Sequence, residues 1–157
     1  MPDRGICVGV ISDTHGLIRP QVLVAFQVCD LIIHGGDVGK PEVLENLRKL
    51  APTFAVRGNS DKGAWADSLP TTEVVEVGQH LFYVVHELAQ LDLDPRAAGF
   101  AAVIFGHSHR PSYEVREGVL YLNPGSAGPR RFNLPVAVGR VHVSEGDLRP
   151  EILKLSV

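Results

Sequence analysis

The sequence predicts an α/β protein of two packed mixed sheets with helices outside them, and three observations carry that prediction. The chain has 157 residues, 45% of them apolar, which is one domain's worth of sequence with material for one sizeable core. Its first third alternates short apolar runs with helical stretches, the β-α-β-α-β order of parallel strands covered by helices. Its later part holds three pairs of apolar-rich runs separated by short glycine-bearing turns, which read as antiparallel hairpins. Residues 1–157 are accordingly read as a single domain.

The elements follow in order. Ile6-Cys7-Val8-Gly9-Val10-Ile11 is a continuous apolar run and reads as a buried strand. Pro20 suits the first helical position and starts a helix over residues 20–28. Leu31-Ile32-Ile33 is a second buried strand. Pro41 opens a stronger helix, in which Val43, Leu44, Leu47 and Leu50 share one face and Glu42 and Glu45 lie near the positive end. Residues 53–56 form a third strand. Residues 73–77 and 80–85 flank Gly78-Gln79, residues 112–116 and 119–122 flank Glu117-Gly118, and residues 136–143 and 148–155 flank Glu145-Gly146-Asp147. Between the first two hairpins come a short helix over residues 94–98 and a buried apolar run over residues 102–105.

Composition excludes several classes. A formal net charge of −3 with 21% charged residues is too little charge, on too apolar a chain, for intrinsic disorder, and it is the wrong sign for a dedicated nucleic-acid binder. No apolar run approaches the ~18–20 residues of a membrane span. Met1-Pro2-Asp3-Arg4-Gly5 leads into only six apolar-rich residues without a small-residue cleavage pattern, which argues against a secretory signal. Cys7 and Cys29 sit among apolar neighbours and form no Cys-x-x-Cys pair, so they read as buried free thiols. A cytoplasmic location is the expectation.

The chemistry lies where the apolar runs end. Five of them are followed at once by metal-ligand residue types: Ser12-Asp13-Thr14-His15-Gly16, His34-Gly35-Gly36-Asp37, Arg57-Gly58-Asn59, His86, and Gly106-His107-Ser108-His109. In open α/β sheets functional groups gather beyond the carboxyl ends of the strands, so neighbouring strands would bring these side chains together. Composition alone gives ~0.4 chance Asp-x-His triplets in such a chain but only ~0.03 Gly-His-x-His stretches. Finding both, with Gly-Asp and Gly-Asn each at a strand end, makes coincidence a poor explanation.

This order of motifs resembles the calcineurin-like metallophosphoesterases, closest to their small single-domain bacterial and archaeal phosphodiesterase branch. The likeness runs from Ile6 to about Gly128 and includes the turn Asn123-Pro124-Gly125-Ser126. It implies a four-layer α-β-β-α sandwich with a two-metal site at the strand ends. By that analogy Asp13, His15 and His109 hold one metal, Asn59, His86 and His107 hold the other, and Asp37 bridges both. Asp37, Asn59 and His86 would then also act in catalysis. Mixed imidazole, carboxylate and amide ligands suit manganese, with iron, zinc or nickel as alternatives, and the lack of cysteine ligands disfavours a structural zinc site. Paired metals ~3.5–4 Å apart share a water, turn it into hydroxide near neutral pH and clamp a phosphoryl group. Two divalent cations, two aspartates and a hydroxide leave such a site about one unit positive, which attracts a phosphate anion. A carboxylate in place of the Asn59 amide would cancel that charge. The implied partner is a small phosphoester substrate; a homo-oligomer is compatible with the sequence.

Two positions depart from the family pattern. Many relatives carry His-Glu or His-Asp after the Gly-Asn, and that histidine assists the leaving group; here Ser60-Asp61 follows. Glu87 stands where relatives usually have glycine. It could orient a ligand histidine, crowd the substrate mouth, or mark His86 as misassigned, with His80 as the nearest replacement. His34 reads as a core residue or a support for a ligand. Arg57 reads as an acid's partner or a phosphate contact; Arg130 and Arg131 follow a glycine-rich turn and are candidates for a phosphate contact. Trp65 reads as part of a mobile loop near the substrate or of a subunit contact. The alternative to catalysis is a protein-interaction scaffold, since the small retromer subunit shares this fold with a degraded metal site. Completeness of the seven ligand types favours the enzyme.

Overall fold

A computed structural model describes residues 5–157; residues 1–4, part of the segment read as lacking a secretory signal, lie outside the described residues. Two five-stranded sheets pack face to face. In the first, β1 (Ile6–Ile11) sits at the centre, parallel to β2 (Leu31–His34), which is parallel to β3 (Thr53–Ala55). The chain's last hairpin, β9 (Ala137–Ser144) and β10 (Asp147–Lys154), completes the sheet antiparallel to the other edge of β1. In the second sheet β4 (Thr72–Val77) and β5 (His80–Val85) form a hairpin. Next to it lies β6 (Ala102–Ile104), parallel to both β5 and β8 (Val119–Asn123), with β7 (Ser112–Arg116) at the edge. Both sheets are mixed, as the alternation of helical crossovers and hairpins predicts.

The inner faces meet in a dry core that includes Val8, Val10, Ile33, Val84, Ile104 and Leu122. On the outer face of the first sheet lie α1 (Pro20–Ala25) and α2 (Pro41–Arg48). Both have proline at their start, and α2 buries Val43, Leu44 and Leu47 while Glu42 and Arg48 match its dipole. The fourth layer is thin. A 3₁₀ turn at Leu88–Gln90 and the segment that follows cover Tyr83, Val85 and Val103 with Leu88, Leu91, Leu93 and Phe100.

Three local expectations need correction. Residues 94–98 make a single turn rather than a helix: Asp94 accepts hydrogen bonds from the Arg96 and Ala97 amides, and Gly99 ends the turn at φ +84°. Helix α1 stops at Ala25, because shorter i→i+3 turns replace the helical bonds and tuck Phe26 and Cys29 inward. Trp65 belongs to a short helix, α3 (Ala64–Asp67), rather than to a loop, and packs partly buried against the helix-side core with Leu69. No apolar periodicity marks that four-residue helix. Cys7 and Cys29 are free thiols with sulfurs 3.5 Å apart. No helix among the described residues is long and apolar enough to cross a membrane.

Candidate metal centre

β1, β2, β3, β5 and β6 all deliver their carboxyl ends to one place, and the loops leaving them carry the seven predicted residues. The backbone there is unusual. Among the described residues seven non-glycine positions have positive φ, and five of them are Asp13, His15, Asp37, His107 and His109. Left-handed backbone at such residues costs roughly 1–3 kcal/mol each and persists only where the surroundings enforce it. Asp, Asn and His tolerate it best, which is one reason sharp turns here can carry ligand types.

Two glycines make room. A Cβ on Gly106 would lie 2.1 Å from Ser12 Oγ and 2.7 Å from Asp13 Oδ2. A Cβ on Gly58 would lie 2.2 Å from both the amide nitrogen and Oδ1 of Asp37. The glycine after each strand thus lets one loop's backbone touch another loop's carboxylate.

Two groups of donors result. The Asp13 carboxylate and the imidazoles of His15 and His109 place one ligand atom each within 4.8 Å of one another, and so do Asp13, Asp37 and His86. His109 Nε2 lies 3.4 Å from Asp13 Oδ1. Asp37 Oδ2 lies 3.8 Å from His15 Nε2 and 3.3 Å from His86 Nε2. Asn59 Oδ1 is 2.9 Å from His86 Nε2 and 3.2 Å from His107 Nδ1. All seven predicted side chains therefore converge. His80 lies at the far end of β5, where its Nε2 meets the Ser144 carbonyl, so it does not compete with His86.

Hydrogen bonds aim these groups. Ser12 Oγ and the His107 amide both donate to Asp13 Oδ2, which leaves Oδ1 unpartnered and buried. The Ser60 amide donates to Asp37 Oδ1, which leaves Oδ2 facing the histidines. His86 Nδ1 meets the Gly35 carbonyl at 2.7 Å, so that nitrogen carries its proton and Nε2 points at Asp37 and Asn59. Burial disfavours charge on Asp37, but the neighbouring His86 ring and the Ser60 amide outweigh it and hold the carboxyl well below the usual range. Burial likewise opposes a proton on His86, yet Asp37 and the Gly35 carbonyl raise its affinity for one. Buried Asp13 Oδ1, His15 Nε2 and His109 Nδ1 lack hydrogen-bond partners. Lone pairs crowded around a common space, with buried atoms unsatisfied, fit a cation.

Sequence reading missed Asp61. This buried carboxylate accepts the amides of Val38 at 3.2 Å, Gly39 at 2.9 Å and Gly58 at 2.9 Å. It clamps the loop of Asp37 to the loop of Asn59. Its sequence signal was its place two residues after Asn59, where the resembled family also carries an acidic residue. His34 proves to be a support: Nδ1 accepts the Gly36 amide, Nε2 donates to Thr14 Oγ1, and Thr14 donates on to the Val38 carbonyl. Asn123 binds the Gly106 carbonyl and Ser108, and Ser126 binds the Asp13 carbonyl, so the Asn123–Ser126 turn buttresses the ligand loops. Arg57 pairs with Asp67 at 3.3 Å, and Arg130 donates to the Leu134 carbonyl. Glu87 lies beside His107, not His86: Oε1 is 3.6 Å from His107 Nε2.

The chain belongs to the calcineurin-like phosphoesterase superfamily, whose domain model matches residues 6–146. It is 36% identical over 132 residues to a probable metallophosphoesterase of Methanocaldococcus jannaschii, covering 76% of this chain and 67% of that protein. It is 24% identical over 166 residues to a phosphodiesterase of the same archaeon, covering 94% and 99% of the two chains. Among solved structures, Vps29 of Entamoeba histolytica complexed with zinc superimposes with a TM-score of 0.71 over 95% of this chain and 99% of that one. At 23% identity that likeness shows the fold alone.

Proposed function

We propose that this chain hydrolyses phosphoesters, phosphodiesters foremost, with two divalent cations as cofactors. Asp13, His15 and His109 would hold one ion, and Asn59, His86 and His107 the other, with Asp37 shared. The observation that carries this reading is Asp37 itself, whose Oδ2 stands between His15 at 3.8 Å and His86 at 3.3 Å. Manganese suits the mixed donor set, with iron, zinc or nickel as alternatives. Such ions, when bound, supply Lewis acidity toward a phosphoryl oxygen and acidify a water to near-neutral pKa.

The chain's own residues do the rest. Ser12 and the His107 amide fix the Asp13 carboxylate, and the Ser60 amide fixes Asp37. Asn59 contributes an oxygen without a charge, which keeps the loaded site attractive to anions. Ser60 has no imidazole to protonate a departing oxygen, and such help is typically worth ~10²–10⁴-fold. Substrates with acidic leaving groups are therefore preferred.

Metal binding alone does not separate an enzyme from an interaction module of the same fold, since a Vps29 has been solved with zinc. Turnover does. A series of aryl phosphodiesters with added manganese, against a chelator control, should show metal-dependent hydrolysis that speeds steeply as the leaving-group pKa falls. Inactivity with every divalent metal would transfer the reading to the scaffold, and a flat dependence in a chemistry-limited step would remove the leaving-group argument.

A further inference from the structure

Glu87 takes no part in the donor set. The chain leaves β5 through His86 and continues extended at Glu87, with φ −120° and ψ 120°. His86 turns inward and is 3% exposed, while the side chain of Glu87 is 36% exposed. Its carboxylate faces His107, whose side chain is 43% exposed and whose other ring nitrogen lies 3.2 Å from Asn59 Oδ1. The carboxylate thus stands on the solvent side of the outer donors. At 3.6 Å from His107 Nε2 it is too far for a hydrogen bond, so it acts by charge rather than by aiming the ring. Arg57, close in sequence to Asn59, pairs with Asp67 rather than with Glu87.

An anion reaching Asn59 and His107 from solvent comes within Coulombic range of this carboxylate. A phosphomonoester, with its second pKa near ~6, is largely a dianion at neutral pH, whereas a phosphodiester is a monoanion. Repulsion scales with charge, so the monoester meets about twice the opposition. We propose that Glu87 is a specificity residue that makes the site select phosphodiester monoanions over phosphomonoester dianions. This rests on the phosphoesterase reading above.

The test compares wild type, Glu87→Gln and Glu87→Asp, all loaded with manganese. The ratio of kcat/KM for an aryl phosphodiester to that for the matching aryl phosphomonoester should fall about three- to tenfold in the Gln variant, through a gain on the monoester. The Asp variant should keep the wild-type ratio, and added salt should shrink the difference. Calorimetric titration with inorganic phosphate as its dianion should show tighter binding to the Gln variant by a similar factor. An unchanged ratio, or equal losses on both esters, overturns the proposal. If wild type hydrolyses neither ester, the catalytic reading fails first. The phosphate titration then decides for Glu87, with tighter binding by the Gln variant supporting it and unaltered or absent binding overturning it.

Discussion

Asp13, Asp37, His86 and His109 are at most 4% exposed, whereas Asn59 and His107 open to solvent and His15 lies between the two extremes. The buried half is held by a backbone network: Asp61 clamps two loops, His34 and Thr14 link two strand ends, and Ser126 ties in the last third of the chain. The exposed half has fewer anchors and leans on the buried half, as when the His107 amide donates to Asp13. The difference teaches that the buried donors are fixed by the folded chain's own hydrogen bonds, while the exposed ones are held by fewer. Buried carboxylates and imidazoles without a compensating charge are costly, so the rigid half is also the one that most needs a cation.

Breaking the clamp should give the largest effect. Asp61→Ala leaves the buried amides of Val38 and Gly58, and the more exposed amide of Gly39, without an acceptor; it should cost about 4 kcal/mol of stability in urea denaturation, with Asp61→Asn near half of that. A loss below about 1 kcal/mol would mean that the inner half does not depend on this clamp.

The second test is acid. Burial pushes the pKa of His34 down to about 4. The Gly36 amide donating to Nδ1 demands the same neutral ring. The unfolded chain takes up the proton near ~6.5 and the folded one only near 4, so the unfolded state binds more protons between them. Stability should therefore fall by roughly 3 kcal/mol as pH drops through that window. His34→Gln should flatten this part of the profile, and an unaltered slope in that variant would assign it to other groups.

Metal affinity separates the halves directly. His109→Ala should weaken manganese binding more than about 100-fold in a calorimetric titration, and His107→Ala only about tenfold, because solvent can replace an exposed ligand. Equal losses would erase the distinction. The smallest effect concerns charge alone. Asn59→Asp should raise KM about threefold while metal affinity stays near wild type, and an unchanged KM would refute the view that the neutral amide preserves attraction for anions.

Much of the fold was legible because its signals are local. The continuous apolar run of β1, the helical face of α2 and the glycine-bearing turns of the hairpins each lie within a few residues. The candidate ligand types were legible for the same reason, since each lies within five residues of the end of its strand. Asp61 was not, because its three partners come from two loops that meet only in space. The side of the cluster on which Glu87 stands was equally hidden, as was the short helix bearing Trp65, which owes its place to packing rather than to periodicity.

By itself the sequence determined which chemical groups the chain carries at its strand ends and the secondary structure that presents them, because apolar period and turn chemistry are properties of neighbouring residues. Only the tertiary structure decided which groups are buried, which atoms face one another and which carboxylates receive backbone amides. Those outcomes depend on strand order, and β1 gains one neighbour from residues 31–34 and the other from residues 137–144. Contacts between segments so far apart in the chain come from the packing of two whole sheets, and no short stretch of sequence contains them.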